Sequence, residues 1–201
     1  NANSFTSHER PFFFFSAFYY FKKEEWGKYF LFIILSSMVI EVAPLIVAFF
    51  GIYGLWVNRR KIFQLVRSSN FRELLSNKCI CFSIVTVILG LVWFIIASKI
   101  ILIVNPSALP HPNWKTFGDP FHDIPGFIFG ILTNPIKTLE VIVTPVDQKA
   151  LYIFGLFAPV AFLSFLDLPS LMIGFPWFLA AFLSNYAPYY VPIGYQYVAF
   201  V

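Results

Sequence analysis

"CICFSIVTVILGLVWFIIASKIILIV", residues 79–104, carries a single charged side chain, Lys99, in an otherwise apolar run. A stretch this long crosses a hydrocarbon core of about 30 Å as a helix, because the bilayer interior offers the backbone no partner but itself. Composition agrees. The chain is 59% apolar and 12% charged, against about 45–50% and about 25% in soluble domains, and its mean hydropathy is +0.75. A globule of 201 residues has too little interior to hide that much apolar surface. Lipid is therefore the expected solvent for much of the chain, and the expected fold is all-α, a polytopic transmembrane helix bundle in the cell membrane.

Working outward from 79–104, the two flanks differ in charge. Before it, "NRRKIFQLVRSSNFRELLSNK" (58–78) sets six cations against Glu73, a net +5. Its interleaved apolar residues give it the pattern of a basic amphipathic segment lying on a membrane surface. After it, residues 105–147 set Lys115 and Lys137 against Asp119, Asp123, Glu140 and Asp147, a net −2. The positive-inside rule assigns 58–78 to the cytoplasm and 105–147 to the outside, with one crossing between them.

The run 26–57 is harder. As one helix it would extend about 48 Å at about 1.5 Å per residue, and it would place Glu41 near mid-bilayer, where a carboxylate is costly. A break near Glu41–Pro44 gives a helical hairpin instead, since Pro44 disfavours helix at Ala43. "KKEEWGK" (22–28) then joins 58–78 on the cytoplasmic side. The remaining expectations are a partial helix over 11–21, spans over 149–166 and 168–185, and a further span beginning at 195–201. The run 126–145 contains Pro135, Lys137 and Glu140 and is too polar to read as a span. The short apolar runs at both ends read as a fragment of a longer chain, all of it one transmembrane domain, 1–201.

Chemistry-bearing residues are few. "GDPFHDIPG" (118–126) crowds Asp119, His122 and Asp123 together. Such a trio can supply a general base or hold a divalent cation; each carboxylate alone reads equally as a turn starter bonded to loop amides. Glu41 is either part of an external site or a helix-end carboxylate at headgroup level. Lys99 either holds a substrate or snorkels to the outer interface. In "SNYAPYYVPIGYQY" (184–197), Tyr195 and Tyr197 either contact a substrate headgroup or belong to an interfacial aromatic belt. Cys79 and Cys81 read as reduced residues at a helix start, with juxtamembrane acylation as the other reading. No phosphate loop, dinucleotide fingerprint, zinc-protease motif or nucleophile elbow occurs. With a net charge of +4 and no basic tract interleaved with aromatics, nucleic acid is not an expected partner.

"IEVAPLIVAFFGIYGLWVNRRK" (40–61), with its acid-centred helix pair followed by G-x-Y-x-L and basic residues, resembles a family of polytopic membrane proteins of archaea and actinobacteria, domain of unknown function 2079. "KALYIFGLFAPVAFLSFLDLPSLMIGFPWFLAAFLSN" (149–185) resembles that family's proline-punctuated hairpin. "IGYQYVAFV" (193–201) resembles its closing motif, with Tyr197 at the tyrosine and Gln196 where histidine is usual. The family is similar in layout to the GT-C membrane glycosyltransferases. That similarity implies an external active site, a polyprenyl-phosphate sugar donor and an acidic residue in a first external loop preceding Asn1. Glu41 is the one family-like acidic position in this chain.

The expected function is accordingly a glycosyltransferase-like activity with a lipid-linked donor on the extracytoplasmic face. Glu41, Asp119, His122 and Asp123 are the candidate catalytic residues, and Lys99, Tyr195 and Tyr197 the candidate substrate contacts. The expected partners are membrane lipid, a lipid-linked sugar and other membrane subunits. The rival expectation is a non-enzymatic integral membrane subunit that anchors or scaffolds a larger complex; a transporter would need more intramembrane charge than this chain carries.

Overall fold

The computed structural model describes residues 9–39, 42–68, 71–104, 116–118, 123–158, 161–184 and 186–191. Among these the structure is helical, with no strand. The expectation of an all-α membrane bundle is met.

The first helices are α1 (Glu9–Lys22), α2 (Trp26–Ser37), α3 (Ala43–Val57), α4 (Arg59–Arg67), α5 (Phe71–Ser76) and α6 (Lys78–Val104). They are followed by α7 (Ile124–Thr133), α8 (Pro135–Val143), α9 (Val146–Phe157), α10 (Leu168–Leu171) and α11 (Phe175–Leu183), with short 3-10 turns at Leu163–Asp167, Met172–Gly174 and Ala187–Tyr189. Two runs are long and apolar enough to cross a membrane, Lys78–Val104 and Leu163–Leu183. The pair α7–α8 passes the same test but is bent by 98° at its break.

The chain divides into two compact units, residues 1–94 with 167–176, and residues 95–166 with 177–201. In the first, α1 and α2 form a tight hairpin. Its turn is a helix C-cap of the Schellman type: Glu25 N–H bonds to Tyr20 O at 3.1 Å, Glu24 N–H bonds to Phe21 O at 3.1 Å, and Glu24 takes a φ of 58° where glycine is usual. The phenylalanine-rich stretch is thus a helical face. Phe18 and Phe21 meet Tyr29, Phe50 and Tyr53 in a ring cluster with centroids 5.5–6.2 Å apart. Stacking of Trp26 on Phe82, at 5.1 Å and 3°, joins α2 to α6.

The stretch 26–57 is two helices, with α2 ending at Ser37 and α3 beginning at Ala43. Glu41 lies outside the described residues. Antiparallel to α3 runs α6, and small residues let their backbones touch. A Cβ on Gly51 would sit 2.7 Å from the Ser83 carbonyl and Val87 N, and one on Gly90 would sit 2.5 Å from Ala48 N and the Pro44 carbonyl. A Cβ on Gly54 would overlap the Ser83 hydroxyl. Such small-residue seams are how helices associate in lipid, where burial of apolar surface gives little net drive.

Polar pairs fix the register of this packing. Thr86 Oγ1 donates to Phe82 O at 2.8 Å, so the buried 2.8 Å contact between Tyr29 and Thr86 has the phenol as donor. Asn58 Nδ2 donates to Gly54 O at 2.9 Å and to Cys79 Sγ at 3.1 Å, tying the end of α3 to the start of α6. Cys79 and Cys81 are free and half-buried.

The same packing gathers basic residues at one end of the unit. Lys22 lies 5.4 Å from the Tyr53 ring, Lys23 4.7 Å from Tyr19, Lys28 5.2 Å from Tyr20, and Arg59 4.8 Å from Trp56. Helix α4 adds Arg60, Lys61 and Arg67, with Phe63 67% exposed on its apolar side. Cations seated on aromatic rings beside exposed apolar side chains are the residue mix of a membrane–water interface.

Replacing Gly90 by valine pushes two backbones apart and is expected to cost about 1–3 kcal/mol, read as a lowered melting temperature in nanodiscs; an unchanged melt refutes the backbone contact. In a chain with Cys79 and Cys81 replaced by alanine, single cysteines at positions 76 and 103 are expected to react with an impermeant maleimide from opposite sides of the membrane. Labelling of both from one side rules out α6 as a span.

Candidate functional site

In the second unit the helices are short and their ends carry the polarity. The α7–α8 break falls at Asn134–Pro135, where proline removes a backbone donor. Freed carbonyls are taken up locally: Asn134 Nδ2 donates to Gly130 O at 3.1 Å, and Thr138 Oγ1 lies 3.0 Å from Ile131 O and 2.9 Å from Asn134 O. Helix α9 ends in a reversal at Ala161 and Phe162, both at positive φ, with Phe162 N–H bonding to Phe157 O at 2.9 Å. The observed helical runs are therefore 146–157 and 163–183, in place of the expected 149–166 and 168–185; the reversal comes at residues that carry no glycine or asparagine to announce it.

Two of the anticipated site residues come together. Lys99, near the end of α6, and Asp123, which starts α7, line one hollow of about 160 Å³. Its other walls are Ile95, Ser98, Leu102, Ile124 and Pro125, and Lys99 and Asp123 are themselves exposed. Asp123 is the N-cap of α7: its Oδ1 accepts from Gly126 N–H at 3.0 Å. A Cβ at Gly126 would overlap that carboxylate. The carboxylate thus already has the structural role of a cap, and Asp123 lines the same small space as Lys99. Asp119, His122, Tyr195 and Tyr197 lie outside the described residues, as does Glu41. Among the described residues no group of three or more His, Cys, Asp or Glu side chains is placed to hold a metal ion.

Reading the sequence alone missed a second, larger hollow of about 340 Å³. Lys137 and Glu140 of α8, Thr116, Thr144, Ser184 and Tyr190 are among its lining residues. The available signal was the charged pair that made 126–145 too polar for a span. Lys149, 3% exposed, touches two of the residues that line this hollow, Val141 and Tyr190. Its ammonium donates to the carbonyls of Val141, near the end of α8, and Phe182, near the end of α11, the latter at 2.8 Å. The Tyr190 ring is 5.2 Å away. Helix C-termini present unpaired carbonyls and partial negative charge, so a cation is the fitting group there. Tyr190 sits beyond the spanning helices, and burial raises its phenol pKa above the ordinary value.

A helical chain with membrane-length apolar runs, a basic aromatic end and polar hollows at broken helix ends is an integral membrane protein. More narrowly, residues 7–201 match the family model described as "Predicted membrane protein (DUF2079)", and the chain belongs to that family. No curated protein and no solved structure matches it.

Lys149→Met leaves the Val141 and Phe182 carbonyls buried without their donor, at an expected cost of about 1–3 kcal/mol. The check is thermal melting in nanodiscs; a melt equal to wild type refutes the role of Lys149 as a clamp on two helix ends.

Proposed function

We propose that this chain is part of a membrane enzyme that transfers a sugar from a lipid-linked phosphate donor to an acceptor at the outer face. The observation that carries the reading is the shared hollow of Lys99 and Asp123. An ammonium beside apolar walls suits a phosphate that bears a lipid tail, with the charge on Lys99 and the tail along Ile95 and Leu102. A carboxylate facing the same space suits a base.

In the reaction so read, the carboxylate takes the proton of an acceptor hydroxyl, and the hydroxyl oxygen bonds to the anomeric carbon of the donor. The bond from that carbon to the phosphate oxygen breaks. The lipid phosphate leaves with the electron pair, and Lys99 stabilises the charge it gains. Glu41, Asp119, His122, Tyr195 and Tyr197 complete the proposal as a further carboxylate, the partners of Asp123 and substrate contacts. A divalent cation, if used, would be held by Asp119 and His122 together with Asp123.

The test is transfer of labelled sugar from polyprenyl-phosphate donors in membranes containing the full protein. Lys99→Gln is expected to lower turnover at least about tenfold, the scale of one charge-assisted contact. Asp123→Asn keeps a good N-cap while removing the charge, and it is expected to do the same. Wild-type turnover in both variants, at equal protein level, removes this site. Absence of transfer by wild type, with an unchanged glycan profile in a deletion strain, supports the reading as a subunit that anchors a larger complex.

A further inference from the structure

The larger hollow has a composition that selects among ligands. Its volume, about 340 Å³, lies in the range of small-molecule sites, about 300–1,000 Å³. Its charged lining groups are one cation and one anion, Lys137 and Glu140, a turn apart on α8. Its other polar side chains are the hydroxyls of Thr116, Thr144, Ser184 and Tyr190. Two of its lining residues are held together by Lys149, which donates to the Val141 carbonyl and packs against the Tyr190 ring.

Each simple ligand class meets this lining differently. A phosphate or carboxylate would face the Glu140 carboxylate. A metal cation would face the Lys137 ammonium and find one carboxylate, short of the several hard oxygen donors such ions take. A lipid tail would strip water from the Lys137 and Glu140 charges without replacing their hydrogen bonds. A neutral polyhydroxylated molecule has none of these conflicts. Its hydroxyls donate to Glu140, accept from Lys137 and do both with the threonine, serine and tyrosine hydroxyls.

We propose that the hollow lined by Thr116, Lys137, Glu140, Thr144, Ser184 and Tyr190 binds a sugar, with Glu140 and Lys137 as its paired acceptor and donor. Assigning that sugar the role of acceptor rests on the transfer reading above; its binding does not.

The full chain in lipid nanodiscs, free of sugar detergents, is titrated with methyl glucoside, mannoside and galactoside, and with inorganic phosphate, by saturation-transfer NMR. At least one hexoside is expected to bind saturably and to be undisplaced by phosphate. Glu140→Gln and Lys137→Met are each expected to weaken it about tenfold. Ile136→Ala, 84% exposed on the same helix, leaves binding unchanged. Lack of saturable binding by every hexoside to protein with a normal melt overturns the inference. Displacement by phosphate overturns it too, as does binding that neither charge variant alters. Hexoside binding without any sugar transfer keeps the sugar site and removes the transfer reading; transfer without hexoside binding does the reverse.

Discussion

Direct contact between two backbones governs the first unit. Helices α3 and α6 touch at Gly51, Gly54 and Gly90, close enough that a single added methyl would overlap a neighbouring atom. In water such a seam would be one contribution beside the burial of leucines and valines. In lipid the tails are as apolar as the side chains, so dispersion and hydrogen bonds between closely approaching helices carry more of the association. Much else in this unit follows from that approach. With α3 and α6 in register, Asn58 stands where it reaches Cys79, and across the α2–α6 contact Thr86 meets the Tyr29 phenol. Both pairs are polar contacts that slide out of range if the helices shift by a turn.

The second unit follows another constraint. Its helices are short, and their ends leave carbonyls and N–H groups that lipid cannot satisfy. Asn134 and Thr138 answer this at the α7–α8 break, Asp123 caps the other end of α7, and Lys149 serves α8 and α11 at once. Side chains recruited to satisfy helix ends bring charge into an apolar setting. Both hollows occur there, and both are bounded by such residues or their immediate neighbours. The polarity that a site needs and the polarity that a broken helix needs are drawn from the same side chains.

The class of fold was legible because lipid leaves a compositional mark. The run at 79–104 and the shortage of charge identified an all-helical membrane protein without any tertiary information. Helix ends were less legible. Proline at 44 marked the break in 26–57, but the positive-φ pair Ala161–Phe162 uses residues that seldom take that conformation, so hydropathy alone drew the boundaries of 149–166 and 168–185 elsewhere. Of the candidate site, Lys99 and Asp123 were each visible as rare charges, yet their shared hollow depends on the end of α6 meeting the start of α7. Lys137 and Glu140 were visible only as a defect in an apolar run. Lys149 looked like the ordinary start of a span, because nothing local shows that its ammonium is buried among carbonyls.

Asp123 shows how the two uses of polarity can be separated. As an N-cap it needs an acceptor oxygen, and asparagine would provide one nearly as well. In the proposed transfer it would act as a base, which needs a charge as well as an oxygen. The cap alone therefore does not require aspartate, and a charge is costly near lipid when an amide would do. Asp123 shares with Lys99 a hollow that Ile95, Ser98, Leu102, Ile124 and Pro125 also line, and a charge there is more than α7 needs in order to start. Lys149 is the contrary case. Two carbonyls and two aromatic rings surround its ammonium, so its burial argues for architecture: the cation sits where two helices end and their carbonyls need a donor.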